Sequence, residues 1–238
     1  MHQIEVSNII IDIVRKDIKN MHLAVYPPDG RVRIAVPLRI NDEAVRLFAI
    51  TKLSWIKKQK RKFEEQERET KRDYIARESH FLFGHRYLLN VTEHNSAPKI
   101  EIKNKAKIDL YIRPDTSTEK RQNIMKEWYR SAIKEQIPPI LEKYERKTGI
   151  KSNSWAVKQM KTRWGSCNIE DRRIWINLEL AKKPVVCLEY IILHELIHLI
   201  ERHHNDNFQA LMKKYMPQWE FYKEELNRLP VSHGDWEY

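Results

Sequence analysis

"EYIILHELIHLIERHH", Glu189 to His204, places His194, Glu195 and His198 inside a run that is otherwise isoleucine and leucine. Apolar residues on nearly every side mark a helix buried in a core. Burying three polar groups there costs about 1–3 kcal/mol each unless each finds a partner. The two histidines are four residues apart. On a helix that spacing puts both on one face with Cβ atoms about 5–6 Å apart. Two imidazoles so placed can share one metal ion, each through a nitrogen at about 2.0–2.1 Å.

Glu195 is turned partly around the helix from His194, where it reaches a water beside the metal without ligating the ion. The pattern is H-E-x-x-H, the arrangement of zinc peptidases. Ten histidines and 23 glutamates among 238 residues give about 0.04 chance matches to it, so coincidence explains it poorly. A catalytic zinc takes three protein ligands and leaves one position open. The third ligand is expected just past the helix, in "ERHHNDNF". Spacing alone does not choose between His203 and His204, with Glu201 as an outlying candidate.

The rest of the chain bounds what this site serves. Its 238 residues suffice for one large or two small domains, and 41% hydrophobic residues fill a core. No run approaches the ~18 apolar residues of a membrane helix. Glu5 and Asp12 interrupt the apolar start, which has no basic opening and no small-residue cleavage site, so no secretory signal is expected. Cys167 and Cys187 are too few for a disulfide framework, and a reducing cytoplasm is the expected location. The net charge of +11 is spread over both halves. It reads as a lysine-rich surface more than as a nucleic-acid footprint.

Two regions are expected, dividing near residue 115. Residues 1–115 read as a β-rich accessory region with one long helix. Its hairpins are "HLAVYPPDGRVRIAVP", turning at Pro-Asp-Gly, then "FLFGHRYLLNV" and "KIEIKNKAKIDLYI", the last turning near Asn104-Lys105. The helix begins at Asn41 or Asp42. Residues 116–238 open with a helix from Ser117 to a stop at Gly149, broken or kinked at Pro138-Pro139. "SWAVKQMKTRWGSC" and "RRIWINLEL" read as strands, and "NDNFQALMKKYM" and "WEFYKEELNRL" as further helices. His80, His85 and His94 read as surface or loop residues. No internal repeat is evident.

Beyond these patterns the chain resembles the YgjP-like metallopeptidases, a branch of the zincin proteases. The resemblance rests on "PDGRVRIAVP" (Pro28 to Pro37), "KLSWIKKQ" (Lys52 to Gln59), "RWGSC" (Arg163 to Cys167), "INLEL" (Ile176 to Leu180) and "HELIHLIERHHNDNF" (His194 to Phe208). It implies an α+β fold: a zincin-like metallopeptidase domain behind a β-rich N-terminal region. The family's third ligand is a histidine followed by a small or polar residue and then an aromatic. That maps onto His204, with His203 where the family commonly has asparagine.

The resemblance further implies a strand along the cleft edge that pairs with an extended peptide, supplied here by "MKTRWGSCN" or "RRIWINLEL". Trp164 either packs in the core or touches substrate, and Gly165 permits a close approach. Cys167 is either a fourth zinc ligand that holds a latent enzyme or a small hydrophobe, and Cys187 is core. The function expected is a zinc peptidase acting on protein or peptide substrates. His194, His198 and His204 hold the metal and Glu195 is the general base. The alternatives are a protease acting on DNA-bound proteins, as related zincins do, or a non-catalytic binding module with a structural zinc.

Overall fold

A computed structural model of the chain describes residues 2–26, 30–65, 72–160 and 163–228. They form two compact units, residues 2–65 in the first and 72–228 in the second. The fold class is α+β with a β-rich N-terminal region, as expected. The division does not fall near residue 115, because the strands between 79 and 112 share one core with the helices that follow them. Among the described residues no helix is long and apolar enough to cross a membrane.

In the first unit, β1 (His2–Val6) and β2 (Ile9–Lys16) form a hairpin through Ser7 and Asn8. Both turn residues adopt positive φ, 49° and 62°, the conformation a two-residue hairpin turn needs. β3 (His22–Tyr26) and β4 (Arg31–Pro37) are antiparallel, as the hairpin reading expects, and the proposed turn at Pro28-Asp29 lies outside the described residues. β2 and β4 run parallel, giving the order β1-β2-β4-β3. The expected long helix is two: α1 (Asp42–Thr51), capped by the Asn41 side chain on Ala44 N–H at 2.9 Å, and α2 (Leu53–Glu65). Ile11, Ile13 and Ile34 from the sheet and Val45, Ala49 and Ile56 from the helices close a separate core.

The second unit begins with the same arrangement. β5 (Ser79–Leu82), β6 (His85–Glu93), β7 (Lys99–Lys103) and β8 (Lys107–Ile112) lie in the order β5-β6-β8-β7. Directions repeat too: antiparallel, parallel, antiparallel. Each strand, and the helix after the fourth, starts 76 or 77 residues later than its counterpart in the first unit. The chain therefore holds an internal structural repeat. Asn104 and Lys105 form the expected β7–β8 turn, with φ of 53° and 52°.

α3 (Thr118–Thr148) follows, capped by Ser117 and stopped at Gly149, whose φ of 74° suits a residue without a Cβ. It runs unbroken through Pro138 and Pro139, where the sequence predicts a break or kink. Both prolines face solvent, where water can satisfy the carbonyls they leave unpaired, and Ile133, Ile137, Ile140 and Leu141 are buried on the other side. The expected strand "SWAVKQMKTRWGSC" is two strands, β9 (Ser154–Lys158) and β10 (Gly165–Asn168). With β11 (Arg173–Asn177) they form a sheet in the order β10-β11-β9, which leaves β10 at an edge. A 3₁₀ turn (Leu178–Lys182) leads into α4 (Val185–His198), then α5 (Asp206–Tyr215) and α6 (Trp219–Arg228).

Candidate metal centre

α4 is the best-buried helix of the second unit. Leu188, Ile192, Leu193, Leu196 and Ile197 are each at most 1% exposed. That packing fixes the helix and aims the remaining face at a cleft of about 1150 Å³. His194 and His198 project from this face. The chain then leaves the helix at Leu199 and turns back, bringing His204 to the same point. The Nε2 atoms form a near-equilateral triangle: 3.0 Å from His198 to His194, 3.0 Å from His198 to His204, and 3.1 Å from His204 to His194. His203 is not part of this group.

Two features hold the triangle. His198 Nδ1 lies 2.9 Å from the carbonyl oxygen of Glu201, which only accepts, so Nδ1 carries the proton and the Nε2 lone pair faces its neighbours. Beneath all three rings sits Phe208, 1% exposed, with ring centroids 5.0, 4.7 and 4.7 Å from His194, His198 and His204. Asn205 places Phe208 by accepting its N–H at 2.9 Å, the N-cap bond of α5. Glu201 turns its carboxylate to Asn207 at 3.0 Å and stays out of the triangle.

These donors suit a borderline metal ion. Burial and the neighbouring imidazoles push the His194 pKa down to about 3 and lower that of His204, so both are neutral near pH 7. The three Nε2 atoms converge on one point, where a lone pair from each could be taken up by a metal ion. A single ion at about 2.0–2.1 Å from each nitrogen fits over such a triangle and leaves room for a further ligand.

Glu195 stands beside the triangle, 5% exposed. Burial pushes its pKa up to about 8, opposed by the Arg163 charge and by a hydrogen bond from the Cys167 thiol. The thiol in turn is pushed up to about 11 by burial and by Glu195. Cys167 thus bonds Glu195 and stands outside the histidine group, which leaves no support for a latent fourth ligand. β10 passes so close that a Cβ on Gly165 would sit 2.5 Å from Glu195 Oε1.

The sequence of residues 19–229 matches the family of YgjP-like metallopeptidase domains. The chain belongs to that family. This YgjP-like chain is therefore a metal-dependent peptidase in the general sense, a hydrolase of peptide or protein substrates. The family match spans both compact units, so the family's domain is not confined to residues 116–238. Among solved structures, the chain is similar to the metallopeptidase zymogen abylysin of Pyrococcus abyssi, at 18% identity and TM-score 0.36, over 40% of this chain and 99% of that one. It is also similar to the metallopeptidase zymogen jannalysin of Methanocaldococcus jannaschii, at 23% identity and TM-score 0.35, over 38% and 92%. No curated protein matches the chain.

One residue that builds the site escapes the sequence reading. Asn177 is 4% exposed and fills its whole hydrogen-bonding capacity. Its amide donates to the carbonyls of Met160 (2.9 Å) and Arg163 (2.7 Å), while its oxygen accepts from Met160 N–H and Glu179 N–H. A polar residue ending a buried strand is the signal for it. His80, expected at the surface, is 2% exposed, and none of His80, His85 and His94 joins the histidine group. Trp164 packs against the core and also lines the cleft. Cys187 is core, at 0% exposure.

Proposed function

We propose that the chain is a zinc-dependent peptidase in which His194, His198 and His204 hold the metal and Glu195 is the general base. The observation that carries this reading is the Nε2 triangle beside a buried carboxylate on the floor of a cleft. An all-nitrogen donor set of three, open on one side, suits zinc in a catalytic role. When bound, zinc supplies Lewis acidity to the scissile carbonyl and brings the pKa of water to about 7.

The chain's own residues do the rest. Glu195 accepts the proton of the attacking water and delivers it to the leaving amine. Its low exposure keeps bulk water from competing for that proton. Gly165 lets the backbone of β10 approach without displacing the carboxylate. β10 is the sheet edge on the cleft, so its free backbone groups can pair with an extended peptide and lay the scissile bond across the metal.

The test is digestion of casein or a peptide library by metal-analysed protein. Wild-type protein is expected to bind one zinc and cleave. Glu195→Gln is expected to keep the zinc and lose at least about a thousandfold in rate, the scale on which proton-transfer catalysis operates. Cleavage by the glutamine variant at the wild-type rate would remove Glu195 from this role.

A further inference from the structure

Attack of water on an amide moves the carbonyl π electrons onto oxygen, and a donor aimed at that oxygen lowers the barrier. Arg163 and Lys223 line the cleft, but both are long and exposed, and Lys223 Nζ lies over the Trp219 ring, 5.4 Å from its centroid. Tyr190 differs. It lies on α4 one turn before His194, with ring centroids 5.7 Å apart and the rings edge-on at 67°. It is 4% exposed and its ring belongs to the core, so the side chain is fixed.

A buried tyrosine hydroxyl usually finds a partner. Among the described residues this one has none, and burial with the charge of Glu195 keeps its proton on the oxygen. Nor is it sealed in, as His194 Nδ1 is, for the residue lines the cleft. Phenylalanine would fill the same space without carrying an idle hydroxyl. The ring is thus held beside His194 at the cleft, and its hydroxyl has an O–H to offer an acceptor that enters with a substrate.

We propose that Tyr190 is the hydrogen-bond donor that stabilises the oxyanion formed during peptide hydrolysis. The inference rests on the peptidase reading above. In the step, the water oxygen bonds the carbonyl carbon, its proton passes to Glu195, and the π pair moves to the carbonyl oxygen. Tyr190 O–H bonds that oxygen and keeps its own proton. Collapse restores the carbonyl and breaks the C–N bond, and the amine leaves with the proton from Glu195.

The experiment compares wild type, Tyr190→Phe and Glu195→Gln on a peptide that wild type cleaves. For Tyr190→Phe, kcat is expected to fall about 100-fold or more, the usual loss of one oxyanion donor, with KM within about threefold. Calorimetric affinity for a phosphonamidate analogue of that peptide, which mimics the tetrahedral carbon, is expected to fall by a similar factor. Zinc content and melting temperature are expected to hold, because the lost hydroxyl bonds nothing in the protein.

A kcat near wild type overturns the proposal, and so does a lower kcat with unchanged phosphonamidate affinity. Loss of the fold in Tyr190→Phe also counts against it, since it would show the hydroxyl to be bonded within the protein. Absence of cleavage by wild type sinks the peptidase reading and this inference together. Cleavage lost in Glu195→Gln but kept in Tyr190→Phe sinks only this one.

Discussion

Gly165 sits in β10, where its backbone needs no positive φ, so it is glycine for the sake of space. A Cβ there would lie 2.5 Å from Glu195 Oε1, 2.8 Å from Glu195 Cγ and 2.8 Å from Ile191 Cγ2. Ile191 is locked in the core at 5% exposure, so the glutamate must give way. Gly165→Ala is therefore expected to cost about 1–3 kcal/mol from overpacking and at least about tenfold in kcat, because the carboxylate is pushed off its position. Steady-state kinetics beside a thermal melt measures both, and an alanine variant with wild-type kcat would show that the contact does not constrain Glu195. The choice between His203 and His204 has a different origin. It depends on how the chain turns after Leu199 and on Phe208 packing under three rings, neither of which spacing along a sequence encodes. The family pattern of histidine, polar residue and aromatic carries that information in compressed form.

Among the elements, those with strong local signals were legible before the structure. α4 follows from its apolar run, α3 from Ser117 to Gly149 from its caps, and the β7–β8 turn from Asn104-Lys105. What was missed depends on distant partners. The break expected at Pro138-Pro139 is overridden because tertiary packing holds the helix on both sides of the pair. The repeat escaped because it lives in strand order and direction, while the paired strands differ in side chains: "IIIDIVRK" in β2 against "HRYLLNVTE" in β6. Asn177 shows the same dependence on distant atoms, tying the end of β11 to the segment that leads into β10. Asn177→Ala leaves two carbonyls and two N–H groups without their partner. The expected cost is about 2–4 kcal/mol, lowering the melting temperature by roughly 5–15 °C. Activity is expected to fall as well, because Arg163 to Gly165 lose their anchor, while metal content stays. A melt within about 2 °C of wild type would mean that the backbone holds this segment unaided.

At the scale of the whole molecule, the described residues close two separate cores, and among them the histidine group lies with the second. The sequence reading set the boundary near residue 115 because hairpins give way there to a long helix. It lacked the long-range fact that β5 to β8 pack under α3. His80 on β5 is part of that packing and makes the stability of the second unit sensitive to acid. It is 2% exposed, its Nδ1 lies 3.5 Å from the Tyr129 hydroxyl on α3, and its Nε2 lies 3.3 Å from Glu78 Oε2. The Tyr74 ring stands 5.7 Å away, and the charges of Arg72 and Lys182 bear on it. Burial, followed by the Arg72 charge, pushes its pKa from 6.5 down to about 4 against the pull of Glu78. Between those values the unfolded chain binds a proton that the folded chain refuses, so stability falls as pH drops through this window and levels off below it. The contribution lost is up to about 3 kcal/mol. Denaturant unfolding at several pH values from about 7 to about 4.5, compared with His80→Gln, isolates it from the metal-site histidines, which both proteins share. The wild type is expected to lose stability more steeply than the variant as the solution is acidified. Parallel profiles would mean that His80 takes up its proton in the folded state as readily as in the unfolded chain.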